Sequence, residues 1–431
     1  MEDIIHHIKN QLKKKEVDDI VLGFSEREGK HIKFVNNKVV KTGYELTSEI
    51  SIFCSKDRKI ISTSLKDMSK AKADELIKKI IRFSKNIQPS NDYYGIAEGP
   101  FNYKSKIDYD KRIMDANELD VLEKGMNKAL ENSKRVSGDL EIWHLNNHLI
   151  TSGNVDVSDK SSSIYFSIRA FNKKDESGHM TCCSNTLRNL EVEKTSERAA
   201  EIASLAKNPK EIKSGRYKVI FSQMAFAPLL NNISEATSVY NVESGFSFFN
   251  KLNGKYGNFT LIDDGTLPDG FNSCRFDDEG VPTKKTVMID KGILKTYLHN
   301  TSTARKYNLK TTANAGLISP RPFNIVFDCK KGDVFDVKDG IYITNIWYTR
   351  FQNYHNGDFS TIPRDGAFLI KNGKISQSLK GLRISDNMLN LLKNIKCCSR
   401  KVLQIKSWEA EIPAFTPEVL INNINITKPT Q

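Results

Sequence analysis

The sequence predicts an α+β protein: an N-terminal α/β region with signs of an internal duplication, then a β-rich, mostly antiparallel C-terminal domain. The chain has 431 residues, more than one hydrophobic core usually holds. Helical and strand periodicities alternate up to residue 209, whereas short apolar runs separated by glycine turns follow it. We therefore expect two α+β domains, at residues 1–90 and 91–209, and a β-rich domain at residues 210–431.

The first domain is predicted from an amphipathic helix and a hairpin. Apolar residues recur at helical spacing at Ile4, Ile5, Ile8 and Leu12. Two short apolar runs flank Asn36 and Asn37, a pair that tolerates the positive φ of a tight hairpin turn. Further elements predicted here are strands at residues 17–24, 49–54 and 59–63 and a helix at residues 67–84.

The second domain repeats this scheme loosely, after a Gly-, Pro- and Ser-containing linker at residues 89–103. We predict a helix at residues 115–132, a strand, a second hairpin turn at Asn146 and Asn147, and a strand at residues 162–171. A helix around residues 199–205 closes the domain, and Asn208-Pro209 marks its boundary. The two Asn-Asn pairs are the basis for suspecting a duplication.

The third domain is predicted to consist mainly of strands and turns. A strand at residues 215–221 is followed by a helix at residues 224–239, and one late helix is expected at residues 386–395. Turns are predicted at the dipeptides Asp264-Gly265, Glu279-Gly280, Lys291-Gly292, Asp339-Gly340 and Asn372-Gly373.

Composition and charge argue against several classes of protein. The net charge is +13, but lysines are interleaved with acidic residues along the chain, so a nucleic-acid partner is not predicted. No apolar run approaches the roughly 20 residues of a membrane helix, and the N-terminus lacks the pattern of a signal peptide. Seven cysteines without a Cys-x-x-Cys pair argue against a disulfide framework or a zinc ribbon. We expect a cytoplasmic protein without membrane contact.

A series of motifs in the C-terminal half carries a family resemblance. In chain order they occupy residues 215–221, 261–268, 276–283, 292–298, 302–306, 311–316, 357–360 and 366–375. This order resembles the TldD/PmbA family, whose members are described as zinc proteases and as modulators of DNA gyrase. The resemblance covers most of the chain and is densest from Gly215 to Ile384.

The resemblance also implies where a zinc motif has been lost. In the TldD branch the helix after the first strand of the last domain carries His-Glu-x-x-x-His. The corresponding positions here are Asn231, Asn232 and Ala236, which supply neither imidazole ligands nor a general base. A further Cys ligand of that branch has no counterpart, because Cys397 and Cys398 lie too early in the chain. The chain therefore looks like the PmbA branch.

The implied function is that of a metal-free subunit in a TldD/PmbA-type metalloprotease complex that acts on unfolded polypeptides or peptides. We expect no cofactor in this chain and zinc in a TldD-type partner, as a heterodimer, with a homodimer as the other assembly. The chain alone is expected to be catalytically inactive, so no residue is assigned as catalytic or as a metal ligand.

Two alternatives stay open. The first is a peptidase that acts on its own through residues outside the family motif, such as Glu235, His299 or the carboxylates Asp277, Asp278 and Glu279. The second is a binding protein associated with DNA or gyrase, whose affinity would fall steeply with salt.

Other candidates have structural explanations at the sequence level. His144 and His148 have the i, i+4 spacing of zinc helices, but the residue after His144 is Leu145 and an expected turn lies between them. The acidic clusters at residues 263–264 and 277–279 precede glycines, as turns do, so we expect structural turns there.

Overall fold

A computed structural model describes residues 2–104, 107 and 109–428 of the chain. The helices are α1 (Glu2–Lys14), α2 (Lys70–Ser84), α3 (Arg112–Asp115), α4 (Glu118–Leu130), α5 (Val192–Leu205), α6 (Gln223–Glu235), α7 (Val239–Glu243), α8 (Thr301–Lys306) and α9 (Met388–Lys393). The strands of the N-terminal region are β1 (Asp19–Val35), β2 (Lys38–Lys56), β3 (Lys59–Leu65), β4 (Arg135–Thr151), β5 (Asp156–Lys173) and β6 (Glu176–Ser184).

The C-terminal region contributes the remaining strands. They are β7 (Lys210–Glu211), β8 (Gly215–Phe221), β9 (Phe259–Asp264), β10 (Lys285–Asp290), β11 (Ile293–Leu294), β12 (Ile325–Cys329), β13 (Asp339–Ile343), β14 (Ile346–Asn353), β15 (Asp358–Pro363), β16 (Ala367–Lys371), β17 (Lys374–Lys380), β18 (Arg383–Asn387), β19 (Ile395–Ser407) and β20 (Ala410–Thr427). The predicted α+β class with mostly antiparallel pairing is confirmed.

One six-stranded antiparallel sheet spans both predicted N-terminal segments, in the order β3-β2-β1-β4-β5-β6. Each half has three consecutive strands preceded and followed by helices, and the halves join edge to edge through β1 and β4. The segment boundary near residue 90 thus does not separate two sheets. The repeated order of elements agrees with the suspected duplication, which stays a prediction.

The first Asn-Asn pair forms the predicted hairpin turn. Asn36 and Asn37 have φ values of 53° and 66°, as a two-residue turn between right-twisted strands requires. The second pair does not, and the predicted turn at Asn146 and Asn147 is wrong. Both residues lie inside β4, which pairs with β1 on one side and β5 on the other. Hydrogen bonding on both edges keeps this segment extended.

Helices cover one face of the N-terminal sheet. On the opposite face the predicted linker at residues 89–103 has no helix or strand, yet it packs a small apolar core. In that core Tyr93 and Ile96 are buried together with Val21 and Phe53. The segment is therefore attached to the sheet.

The C-terminal region is a fourteen-stranded sheet with the long strand β20 near its centre. β20 pairs with β8, β12, β18 and β19, and α6 packs against it. The predicted strand at residues 215–221 and the helix after it are present, and the helix ends at Glu235. The predicted late helix is the shorter α9.

The two regions share contacts through polar groups. The Thr181 hydroxyl on β6 donates to the Lys406 carbonyl at 2.8 Å, and the Gln404 amide donates to the Cys183 carbonyl at 3.0 Å. One buried apolar cluster also includes residues of both sheets, such as Phe166 and Phe221. Among the described residues, no helix is long and apolar enough to cross a membrane.

Candidate functional site

Helix α6 is fixed at its first turn by a serine cap. The Ser222 hydroxyl accepts a hydrogen bond from the Ala225 N–H at 3.2 Å and donates to the Thr344 carbonyl at 2.6 Å. The helix is then buried on most sides, because apolar residues occupy nearly all of its positions up to Leu230. The cap and the burial hold its last two turns in one orientation against β20.

Asn231, where the resemblance implies the first residue of a zinc motif, connects α6 to β20. Its amide nitrogen donates to the Ile412 carbonyl at 2.8 Å, and its amide oxygen accepts from the Ile412 N–H at 2.8 Å. The nitrogen also donates to the Ala227 carbonyl at 3.1 Å. The side chain is buried and both of its polar atoms are used in hydrogen bonds, so it cannot ligate a metal.

The other two motif positions also do not fit zinc. The Asn232 amide nitrogen donates back to the Pro228 carbonyl, one turn earlier, at 2.8 Å. Ala236 is buried and has no donor atom. A neutral amide and a methyl group lack the ligand chemistry of a zinc site, and no step of catalysis can run through a metal at these positions.

A cavity of about 260 Å³ opens beside this end of α6. Its lining residues are Asn232, Glu235, Ala236, Asn241, Phe246, Phe248, Phe351 and Tyr354. The ring of Phe351 stacks on Tyr354 at 4.7 Å between centroids, and Phe246 meets Tyr354 edge-on at 5.5 Å. Aromatic walls thus stand beside two of the three positions at which the resemblance places zinc-motif residues.

Glu235 supplies the one carboxylate of the cavity lining. Burial by the surrounding protein and the nearby charge of Glu411 raise the pKa of Glu235 above its ordinary value. Within the described part of the chain, neither glutamate forms an ion pair or a side-chain hydrogen bond. Glu235 therefore lies in the cavity wall without a partner cation, and Glu411 lies near it.

His299, the other candidate, lies outside the cavity lining. It is buried before α8, with its Nδ1 3.3 Å from the Thr303 hydroxyl, and burial lowers its pKa to about 4. The ring is neutral at physiological pH. In the described residues no hydrogen bond joins it to Glu235, so the structure does not assemble these candidates into one site.

The acidic clusters act as turn-forming acceptors. Asp277 accepts hydrogen bonds from the backbone N–H groups of Glu279, Val281 and Ala315. Asp263 accepts from the Phe323 and Asn324 N–H groups, and burial raises its pKa to about 7. Their oxygens are occupied by the fold, as structural turns require.

The paired histidines of β4 do not form a joint site. His144 is hydrogen-bonded to the Tyr109 hydroxyl and His148 to the Asp156 carboxylate, each at 2.8 Å. Different partners thus hold the two rings on one strand.

Cys398 lies beside Cys329 and Lys331, away from the motif positions. The Cys398 thiol donates to the Cys329 carbonyl at 3.3 Å, and the Lys331 ammonium lies 3.5 Å from its sulfur. These neighbours, with Cys329 first, lower the pKa of Cys398 to about 7. No hydrogen bond connects this thiol to Asn231 or Asn232 within the described residues.

Sequence reasoning missed a group of three ligand-type side chains on the N-terminal sheet. Ligand atoms of His31, Asp139 and Glu141 all lie within 4.8 Å of one another. His31 on β1 faces Glu141 on β4, and Asp139 is two residues away on the same face. The Asp139-x-Glu141 alternation was the available signal, but the register between β1 and β4 is not visible in the sequence.

The C-terminal region matches a known family. Residues 214–428 match the PmbA/TldA metallopeptidase C-terminal domain. A relative from Methanocaldococcus jannaschii, an uncharacterized protein, is 31% identical over 322 residues, which cover 70% of this chain and 74% of the relative. The chain belongs to the PmbA/TldD family.

Other PmbA/TldD-family proteins extend the comparison. A metalloprotease of Methanocaldococcus jannaschii is 28% identical over 376 residues, covering 77% of this chain and 79% of that protein. The crystal structure of TldE from Thermococcus kodakarensis superposes with a TM-score of 0.87 at 20% identity, covering 98% of this chain and 100% of that one. At this sequence identity, the similarity to TldE shows a shared fold. Metalloprotease chemistry thus belongs to the family.

Proposed function

We propose that this chain is a PmbA-type subunit that supplies no catalytic zinc and pairs with a TldD-type subunit that does. The observation that carries the proposal is Asn231, whose two amide atoms are both hydrogen-bonded to Ile412 where a zinc ligand would stand. Metalloproteases among the relatives support proteolysis as the activity of the assembled complex.

The proposed substrate is an unfolded polypeptide. β3 pairs with β2 only from Ile50 to Lys56, and in the described residues β2 from Lys38 to Glu49 pairs on one side only, with β1. Such an edge can hold an extended chain by backbone hydrogen bonds. Val40, Tyr44 and Leu46 are exposed along it and offer apolar contacts.

Native mass spectrometry of the protein purified gently from its own source tests the pairing. We expect a heterodimer that contains this 48.9 kDa chain, with one zinc ion that stays with the other subunit on dissociation. A homodimer in which α6 holds zinc would overturn the proposal. Because His31, Asp139 and Glu141 offer ligand atoms, the spectrum is repeated with Asp139→Asn to identify zinc bound on the N-terminal sheet.

Proteolysis assays separate the partners. The chain alone should leave an unfolded protein intact, and the complex should cleave it in a chelator-sensitive manner. Robust cleavage by the isolated chain that Glu235→Gln or His299→Gln abolishes would instead establish a peptidase active on its own. DNA affinity that falls steeply with salt would support the binding-protein alternative.

A further inference from the structure

The cavity beside α6 combines two features that favour one kind of ligand. Aromatic faces line it, and Glu235 places a carboxylate in its wall, with Glu411 nearby and no partner cation for either in the described part of the chain. We propose that this cavity binds a lysine or arginine side chain of an extended polypeptide. The polypeptide nature of the ligand rests on the proposed function, whereas the preference for a cation rests on the cavity itself.

Asn231 helps to place the two carboxylates together. Glu235 follows Asn231 by one helical turn, so both side chains lie on one face of α6. The paired hydrogen bonds from Asn231 hold the backbone of Ile412, and Glu411 is the preceding residue of β20. The asparagine that replaced a zinc ligand therefore fixes a second acidic group near the first.

The aromatic side chains suit the same ligand. A cation above an aromatic ring is attracted by the negative face of the ring, most strongly where water is excluded. Phe351 and Tyr354 stack nearly parallel, with 15° between their planes, and Phe246 and Tyr354 are partly exposed at the opening. The aliphatic stem of lysine or arginine could pack on these rings while its charged head approaches Glu235.

The size and charge of the cavity argue against other ligands. At about 30 Å³ per water molecule, 260 Å³ corresponds to about nine waters, enough for one long side chain. An anion would be repelled by the carboxylate of Glu235, and a neutral apolar side chain would leave that carboxylate without a partner. Glu235 and Glu411 are also not part of the three-residue ligand group in the described residues.

Fluorescence anisotropy with labelled unfolded peptides tests the proposal. Two peptides identical except for one central residue, lysine or norleucine, are titrated with the full chain in EDTA. We expect the lysine peptide to bind about tenfold more tightly, since an ion pair with cation–π contact contributes about 1–2 kcal/mol. The preference should fall at high salt, because the ion pair is partly exposed.

Variants of the cavity residues test whether the preference for lysine arises in the cavity. Glu235→Gln and Tyr354→Leu should each abolish most of the preference for lysine while the norleucine peptide keeps its affinity. Glu193→Gln on α5 is the matched control, since it removes an exposed glutamate outside the cavity lining and should change nothing. Circular dichroism confirms that each variant is folded. Equal affinity for both peptides, or a preference that survives Glu235→Gln, would overturn the proposal.

The outcomes distinguish this inference from the proposed function. A preference for lysine that depends on Glu235, in a chain that forms no zinc-containing heterodimer, would support the cavity and refute the subunit role. A zinc-containing heterodimer whose chain shows no such preference would refute the cavity alone. Equal effects of Glu235→Gln and Glu193→Gln would mean that net charge, and not the cavity, attracts the peptide.

Discussion

Residue 231 has a structural role at a position where the family resemblance implies a zinc ligand. Asparagine both donates and accepts, so it pairs with the N–H and the carbonyl of Ile412 in the way a neighbouring strand would. A histidine could not reproduce both bonds with one amide-like group. The asparagine therefore attaches α6 to β20 through both of its polar atoms.

Replacement of Asn231 tests this role. Asn231→Ala should lower the free energy of unfolding by about 2–3 kcal/mol, because it leaves two backbone groups of Ile412 without their partner. Asn232→Ala is the matched control: it removes only a bond to the Pro228 carbonyl within the helix and should change stability by less than about 1 kcal/mol. Urea denaturation measures both, and equal effects would contradict the assigned role of Asn231.

The raised pKa of Asp139 predicts that the stability of the folded protein depends on pH. Burial, followed by the charge of Glu141, raises the pKa of Asp139 from 3.8 to about 6 in the folded protein. The folded state therefore binds this proton more tightly than the unfolded state, and stability is lost as pH rises from about 4 to 6. Screening limits the effect for this half-buried group to about 1–2 kcal/mol.

Asp139→Asn should remove this loss. In EDTA the variant should be more stable than the parent protein at pH 8 and nearly equal to it at pH 4, as measured by thermal unfolding in matched buffers. Asp175→Asn, in an exposed turn, is the control and should behave like the parent at both pH values. A parent protein that exceeds Asp139→Asn in stability at pH 8 would show that the carboxylate has a partner, such as a tightly held ion.

At the scale of elements, the first turn of α6 decides where the cavity lies. Ser222→Ala should lower stability by about 1–2 kcal/mol, because the hydroxyl caps the helix and also binds the Thr344 carbonyl. Ser69→Ala removes the exposed N-cap of α2, whose hydrogen bond from the Lys72 N–H is longer, at 3.4 Å. This variant should lower stability by less than Ser222→Ala. Chemical denaturation of both variants measures the two losses of stability. A larger loss in Ser69→Ala than in Ser222→Ala would contradict the prediction.

Local signals in the sequence identified many elements but not their arrangement. The apolar spacing from Ile4 to Leu12 predicted α1, and the positive φ tolerated by Asn36 and Asn37 predicted the first hairpin. The same dipeptide failed at Asn146, because pairing of β4 with two neighbours keeps that segment extended. The pairing of β4 with β1 joins residues more than 100 positions apart, and no local pattern encodes it.

The sequence likewise predicted only part of the candidate site. The positions that the resemblance assigns to a zinc motif were counted along one predicted helix, and that helix is present as α6. The cavity was not found, since its wall combines α6 with Phe246 and with Tyr354, which follows β14. Glu411 was missed for the same reason, because the packing of β20 against α6, with the hydrogen bonds between Asn231 and Ile412, brings it near the helix.

At the scale of the whole molecule, a buried carboxylate ties the two sheets together. Asp365, which follows β15, accepts hydrogen bonds from Ser177 on β6 at 2.7 Å and lies 2.8 Å from the guanidinium of Arg169 on β5. Its side chain is only 2% exposed. The N-terminal and C-terminal regions are therefore expected to unfold together.

Asp365→Asn tests this coupling without disturbing the backbone, since asparagine tolerates the φ of 55° at this position. The change leaves the largely buried Arg169 without its counterion and should cost about 3–5 kcal/mol. Hydrogen exchange should then accelerate together in peptides from β4 and from β13, because loss of the ion pair weakens both sheets at once. Asp328→Asn, at an exposed ion pair with Lys331, should change neither. Acceleration confined to one of the two peptides would mean that the two sheets unfold independently. The polar contacts between them would then orient the two regions without coupling their unfolding.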